Sequence, residues 1–255
     1  GFHKAMDNSG AIIGPLIAFL VLYFFPLKYS NVFLLATIPA FIGVLTIIFF
    51  IKEAKAEKNG NSVKVSIKQI PKKFYFFILI IFVFALGNST DALLLVKTSE
   101  TGIKESYVPF IYMIFNTVSV IFAIPVGKLS DKIGRERLII PGFLIYSLVY
   151  FLFGKFNSIS IFIFLFVLYG FYSALTDSSQ KALVSDIVGK ELKGTGYGIY
   201  HAILGIALLP ASLIAGLLYD KVNASAPFYF GSVMSLLAAC MMIVFSIVYK
   251  RKTSK

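Results

Sequence analysis

The chain has 255 residues, of which 58% are hydrophobic and only 14% charged. An ordinary soluble domain is roughly a quarter charged, so a chain this apolar cannot cover its own surface in water. Its net charge of +12 raises nucleic acid as a partner, but the placement of the basic residues along the chain argues against that reading.

Apolar runs of about 20 residues are needed to cross a bilayer. Eight are read in chain order, at 5–25, 32–51, 74–97, 107–127, 137–154, 158–179, 195–219 and 227–249. The expected fold class is therefore all-α, a polytopic membrane protein. Pro and Gly recur inside these runs, at Pro15, Pro39, Pro125, Pro141 and Pro210 among others. Membrane helices tolerate them because neighbouring helices and water satisfy the freed backbone groups.

The first run carries Lys4 and Asp7 near its start, with His3 beside them. Residues 1–51 hold the first two runs, and residues 52–73 form a basic linker ahead of the last six, over 74–255. The linker is read as solvated, with a surface-lying amphipathic stretch over Val63–Lys68 as the alternative. The third run ends at Lys97 and contains Asp91 about 26 Å along the helix from Phe74, following Asn88, Ser89 and Thr90. The fourth holds Asn116. The sixth holds Tyr169, Tyr172, Ser173 and Thr176 and ends with Asp177, and the seventh carries His201.

Charges within spans are costly and read as functional by default. Asp91 is read as a cavity carboxylate. For Asp177 both a functional and a merely interfacial position stay open, and His201 reads equally as a packing residue. Apart from Arg137 at the edge of the fifth, the second, fifth and eighth runs lack ionisable charge, which places them outermost against lipid. Cys240 is read as a small core residue. The two His residues lack a metal-ligand spacing, so neither a metal nor a cofactor is expected, nor an enzyme.

Cytoplasmic loops carry the excess Lys and Arg. With the linker inside, the inside also holds the segment Lys128–Arg137, Lys181, Lys190, Lys193 and the tail from Lys250. Both ends of the chain then fall in the cytoplasm, and anionic headgroups of the bilayer, not nucleic acid, are the partner of the positive charge.

Two patterns go further. Gly10–Pro15 and Gly205–Pro210 share a Gly-x4-Pro spacing, as internal repeats of transporters do. The loop after the fourth run reads Gly127-Lys128-Leu129-Ser130-Asp131-Lys132-Ile133-Gly134-Arg135-Glu136-Arg137. It is similar to the signature cytoplasmic loop of the major facilitator superfamily, Gly-x-x-x-Asp-Arg/Lys-x-Gly-Arg-Arg/Lys, departing only where Glu136 precedes Arg137. Here Gly127 would let the helix end approach a neighbour and Gly134 would make a tight turn. Asp131 would accept from backbone N–H groups at a neighbouring helix N-terminus and act as a cytoplasmic latch. The stretches Ala85–Leu95, Asp177–Asp186, Lys193–Tyr200 and Gly1–Asp7 resemble the same family.

That resemblance implies helices five to twelve of a twelve-helix fold, so the chain reads as a fragment. It implies a permease, monomeric in the cytoplasmic (inner) membrane, moving a small-molecule substrate by alternating access. Asn88, Asp91, Tyr172, Ser173 and Thr176 would line the cavity, with His3, Asp7, Asn116 and His201 contributing. Proton-coupled export, with Asp91 as the proton or cation site, is the expected mechanism. A non-transporting receptor or scaffold, or an inactive truncated transporter, is the alternative.

Overall fold

The computed structural model describes residues 2–25, 29–50, 69–88 and 90–250, and the side chains of 2–9 lie outside the described set. The basic linker up to position 68, with its amphipathic stretch, and Ser89 lie outside the described residues. The described secondary structure is helical: α1 (Phe2–Phe24), α2 (Tyr29–Phe50), α3 (Lys72–Gly87), α4 (Ala92–Ser99), a 3-10 turn (Glu105–Tyr107), α5 (Val108–Ile133), α6 (Glu136–Lys155), α7 (Ile159–Val188), α8 (Lys193–Lys221) and α9 (Ala226–Lys250). Among the described residues, seven stretches are long and apolar enough to cross a membrane, and α1 adds the shorter apolar stretch Gly10–Phe24. The chain is a polytopic helical membrane protein.

The expected third span is two helices. Its apolar content is continuous, but Asn88 and Asp91 favour local turns over helix. α3 stops at Gly87 and α4 restarts after Asp91. The expected sixth span ends too early: α7 runs on past Asp177 to Val188 and stops at Gly189, whose φ of 77° suits glycine. Asp177 thus lies eleven residues inside the helix rather than at its end.

The bundle is held by an aromatic core. Phe74, Phe77, Phe143, Tyr146, Phe153, Phe162 and Phe166 are fully buried. Phe84 stacks on Phe143 at 4.3 Å between centroids, and Phe153 packs on Phe162 at 4.5 Å. Such pairs contribute about 0.5–1.5 kcal/mol each beyond their buried area. Serines join α6 to α9: Ser147 Oγ donates to the Ser232 carbonyl (2.9 Å), Ser232 Oγ donates to the Ser147 carbonyl (2.8 Å), and Ser235 Oγ donates to the Phe143 carbonyl (2.8 Å). Small polar residues of this kind let membrane helices approach closely and bond across the contact.

The three helices that carry charge at most at their ends do not share one environment. α2 is exposed along nearly all its described length, with Phe33 and Phe49 about three-quarters exposed. α6 has two faces: it packs on α7 and α9 through Ile139, Phe143, Tyr146, Tyr150 and Phe153, and presents Leu144, Leu148 and Phe151 outward. An apolar face of that kind is dry whether its neighbour is lipid or protein. α9 buries Ala238, Ala239, Met242 and Phe245 while presenting Leu236, Leu237 and Ile247 outward, and Cys240 is exposed, not a core residue. α1 packs on α5 and on the 3-10 turn before it, through Phe19 against Phe110 and Tyr107.

Candidate functional site

The break between α3 and α4 is built around tyrosines from three other helices. Tyr112 on α5 donates to Asp91 Oδ2 (3.0 Å), and Tyr169 on α7 donates to Asp91 Oδ1 (2.8 Å). Tyr146 on α6 donates to the Gly87 carbonyl (3.1 Å), one of the acceptors left over where α3 ends, and reaches Asn88 Oδ1 at 3.3 Å. The same rings pack on one another. Tyr146 stacks on Tyr150 at 4.1 Å, Tyr169 stacks on Tyr172 at 5.3 Å, and Tyr146 meets Tyr172 edge-on at 4.9 Å. A half-buried carboxylate with one phenol on each oxygen is well suited to carry negative charge where little water reaches.

Asn88 and Asp91 line a cleft of about 380 Å³ whose far wall is Leu204, Gly205 and Leu208 of α8. A second cleft of about 250 Å³ shares Asn88 and Leu204 with the first. Tyr172, Asp177, Gln180 and Lys181 of α7 and Tyr200 and His201 of α8 line it. Asp177 accepts from Ser173 Oγ (2.7 Å), which is in turn 2.9 Å from Ser119 Oγ on α5. Tyr200 donates to Gln180 Oε1 (2.8 Å), tying α8 to α7.

Five of the sequence candidates therefore meet on two adjoining clefts: Asn88, Asp91, Tyr172, Asp177 and His201. Asn116 does not join them. Its Nδ2 donates to the Tyr112 carbonyl of its own helix (3.0 Å). The Asp7 side chain lies outside the described residues. Tyr112, Tyr146 and Tyr150 escape a reading built on ionisable charge. Tyr146 and Tyr150 are four apart on one helix face, and Tyr169 and Tyr172 three apart on another, a spacing that could have found them. Among the described residues, no three His, Cys, Asp or Glu side chains come together to hold a metal ion.

The signature loop lies at the other end of α5. Gly134 has a φ of 100°, the left-handed conformation a tight turn needs, so the expected turn is there. A Cβ at Gly127 would meet nothing within 4 Å among the described residues. α5 and α7 approach closely at Gly170, where a Cβ would sit 2.8 Å from the Phe115 carbonyl oxygen. Asp131 pairs with the Arg135 guanidinium four residues on; the start of α1, where its expected latch partner would lie, has no described side chains. Arg135 also reaches Asp186 Oδ2 on α7 (3.3 Å) and donates to Ser130 Oγ (3.1 Å). Partial burial works against the Arg135 charge, but the hydrogen bond and charge of Asp131, with Asp186 behind them, more than offset it and hold the guanidinium above its ordinary range. Lys132 and Arg137 are exposed.

Residues 76–255 match the Major Facilitator Superfamily. An uncharacterized MFS-type transporter of Methanocaldococcus jannaschii is 33% identical over 252 residues, covering 95% of this chain and 62% of that protein. An uncharacterized protein of Mycobacterium tuberculosis is 22% identical over 228 residues, covering 86% of this chain and 55% of its own length. The quinolone resistance protein NorA of Staphylococcus aureus is 27% identical over 118 residues, covering 46% of this chain and 30% of NorA. The chain thus spans somewhat over half the length of the first two. On the match over α3–α9 and the likeness to the archaeal transporter, the chain belongs to the Major Facilitator Superfamily.

Proposed function

We propose that this chain forms part of a permease, not an enzyme, which moves a small molecule across the cytoplasmic membrane by alternating access, with proton coupling and in the direction of export. The observation that carries this reading is Asp91. It sits at a break in a membrane helix, faces a cleft, and is held by two phenols from different helices. Broken helices next to a midplane cleft are where transporters place substrate and coupling ions. A carboxylate is suited to proton coupling because protonation removes its charge in a poorly solvated cavity. Export is supported by the likeness to a protein named for quinolone resistance.

In this reading residues 1–51 supply two helices of one half and 74–255 the other half, joined by the basic linker. Both ends of the chain face the cytoplasm, where the signature loop gates the inner side and exposed Lys132 and Arg137 face anionic headgroups. The protein works as a monomer.

The test is transport by the full-length protein in proteoliposomes under an imposed pH gradient, with a panel of small molecules. Gradient-driven transport that collapses in Asp91→Asn is the expected result. Full gradient-driven transport by Asp91→Asn would overturn the coupling role, and no gradient-driven movement of any compound would overturn the permease reading.

A further inference from the structure

Gln180 carries no charge and stands out in no sequence pattern, yet it lines the second cleft beside Asp177. It lies on α7 with only 6% of its surface exposed, a setting that calls for partners on both ends of the amide. Its Oε1 accepts the Tyr200 hydroxyl of α8 at 2.8 Å. That bond orients the amide, with the oxygen turned to Tyr200 and the NH2 group turned away from it. Among the described residues no acceptor meets that NH2 group. Its nitrogen is not sealed in the core either, so it keeps contact with the cleft that Gln180 lines. Asn88 repeats the pattern where the two clefts join. Its Oδ1 lies 3.3 Å from the Tyr146 hydroxyl, which leaves its NH2 group without a partner among the described residues.

The acceptors of the site are in the opposite condition. Asp91 takes a phenol on each oxygen, and Asp177 takes the Ser173 hydroxyl. Asp177 and Lys181 stand one turn apart on α7 and bring opposite charges to the second cleft, so neither sign prevails there. What that cleft lacks is an acceptor. An amide donor left unmatched is costly, and a ligand that supplies the acceptor recovers the cost. The first cleft lacks something else. Asp91 brings it a negative charge, which two neutral phenols stabilise without cancelling.

We infer that the two clefts together take an elongated zwitterion, with its ammonium at Asp91 and its carboxylate on the Gln180 amide, and that Gln180 selects for the acceptor end. Tyr169, which holds Asp91, precedes Gln180 by eleven residues on α7, a rise of roughly 16 Å, so the two charges of the ligand stand well apart. Phe84, Tyr172 and Leu204 give the chain between them an apolar wall. This rests on the reading of the Asp91 cleft as a substrate site, but its test reads binding and needs no proton gradient.

The full-length protein in lipid nanodiscs is titrated calorimetrically with ω-amino acids from aminohexanoate to aminododecanoate. The alkylamine, the alkanoate and the α,ω-diamine of each length are titrated beside them. One amino acid of the series should bind on the order of tenfold more tightly than its matching alkylamine and alkanoate, each of which lacks one charged end. Gln180→Glu keeps the side-chain volume and an acceptor for Tyr200 but turns a carboxylate to the cleft. It should reverse the preference, making the diamine the tighter ligand, a result that misfolding cannot produce. Gln180→Leu should weaken the amino acid to the level of the alkylamine and leave the alkylamine unchanged. An amino acid that binds no better than its alkylamine, a diamine preferred by the unaltered protein, or no reversal in Gln180→Glu would overturn the inference. Gradient-driven transport of some other compound would then still stand, and with it the permease reading.

Discussion

Tyr169 and Asp91 are 78 positions apart in the chain, yet the tyrosine hydroxyl donates to Asp91 Oδ1 across 2.8 Å. This bond, with its counterpart from Tyr112, fixes the start of α4 to α5 and α7 at once. A hydrogen bond to a charged group contributes about 1.5–3 kcal/mol. Tyr169→Phe and Tyr112→Phe should therefore each lower thermal stability in detergent, and the Tyr169→Phe effect should largely vanish when Asp91 is already Asn. A double-mutant cycle on unfolding midpoints measures this coupling, expected at about 1–3 kcal/mol. A coupling near zero would mean that the pair contributes nothing to fixing α4.

Tyr146 anchors the other side of the break. Its hydroxyl is fully buried and donates to the Gly87 carbonyl at 3.1 Å. Removing it strands a buried acceptor at the end of α3, which costs about 1–3 kcal/mol. Tyr146→Phe should lower the unfolding midpoint, and amide exchange should rise first over positions 85–93. Uniform exchange across the bundle would show that Tyr146 supports the whole core and not the break.

These tyrosines show where sequence reading stops. The spans were legible because lipid demands long apolar runs, and the Gly134 turn was legible from its glycine. Asp91 and Asp177 were legible because charge within a span is rare. The break at 88–91 was not, since an apolar run from Phe74 to Val96 hides a four-residue interruption whose polarity reads equally well as one face of a helix. Which face of α6 turns to the bundle was not legible either. Phe, Tyr and Ile satisfy lipid and protein neighbours alike, and only the tertiary contact between α6, α7 and α9 decides between them. Asp186 as partner of Arg135 was also beyond reach, because 51 positions separate them in the chain.

The Arg135 cluster should contribute little to folding stability. Its partners are exposed, with the Asp131 side chain at 68% and that of Asp186 at 55%. Exposed ion pairs are worth about 0–1 kcal/mol and are screened by salt. Arg135→Ala should thus shift the unfolding midpoint by only a degree or two at low salt, and the difference should shrink in 1 M salt, a screening length of about 3 Å. Calorimetry at the two ionic strengths checks this, and a large salt-insensitive loss would place Arg135 among the packing residues instead.

Glycine contacts give the sharpest contrast in packing. A Cβ at Gly231 of α9 would lie 2.7 Å from both the Gly87 carbonyl oxygen and Tyr150 Cδ1. The backbone oxygen cannot give way without moving the end of α3, and Tyr150 is wedged between Tyr146 and Phe228. Overpacking of this kind costs about 1–3 kcal/mol. Gly216 of α8 is the control, since a Cβ there would meet nothing within 4 Å. In a helix, Ala is favoured over Gly by up to about 1 kcal/mol, so Gly216→Ala should be neutral or stabilising. Gly231→Ala should lower the unfolding midpoint by several degrees, and because the displaced oxygen belongs to the residue before the break, it should also raise access to Asp91 in the cleft. Carbodiimide modification of Asp91, followed by peptide mass mapping, reads that access. Equal stability in the two alanine variants would show that α3 and α9 are not in register at Gly87 and Gly231.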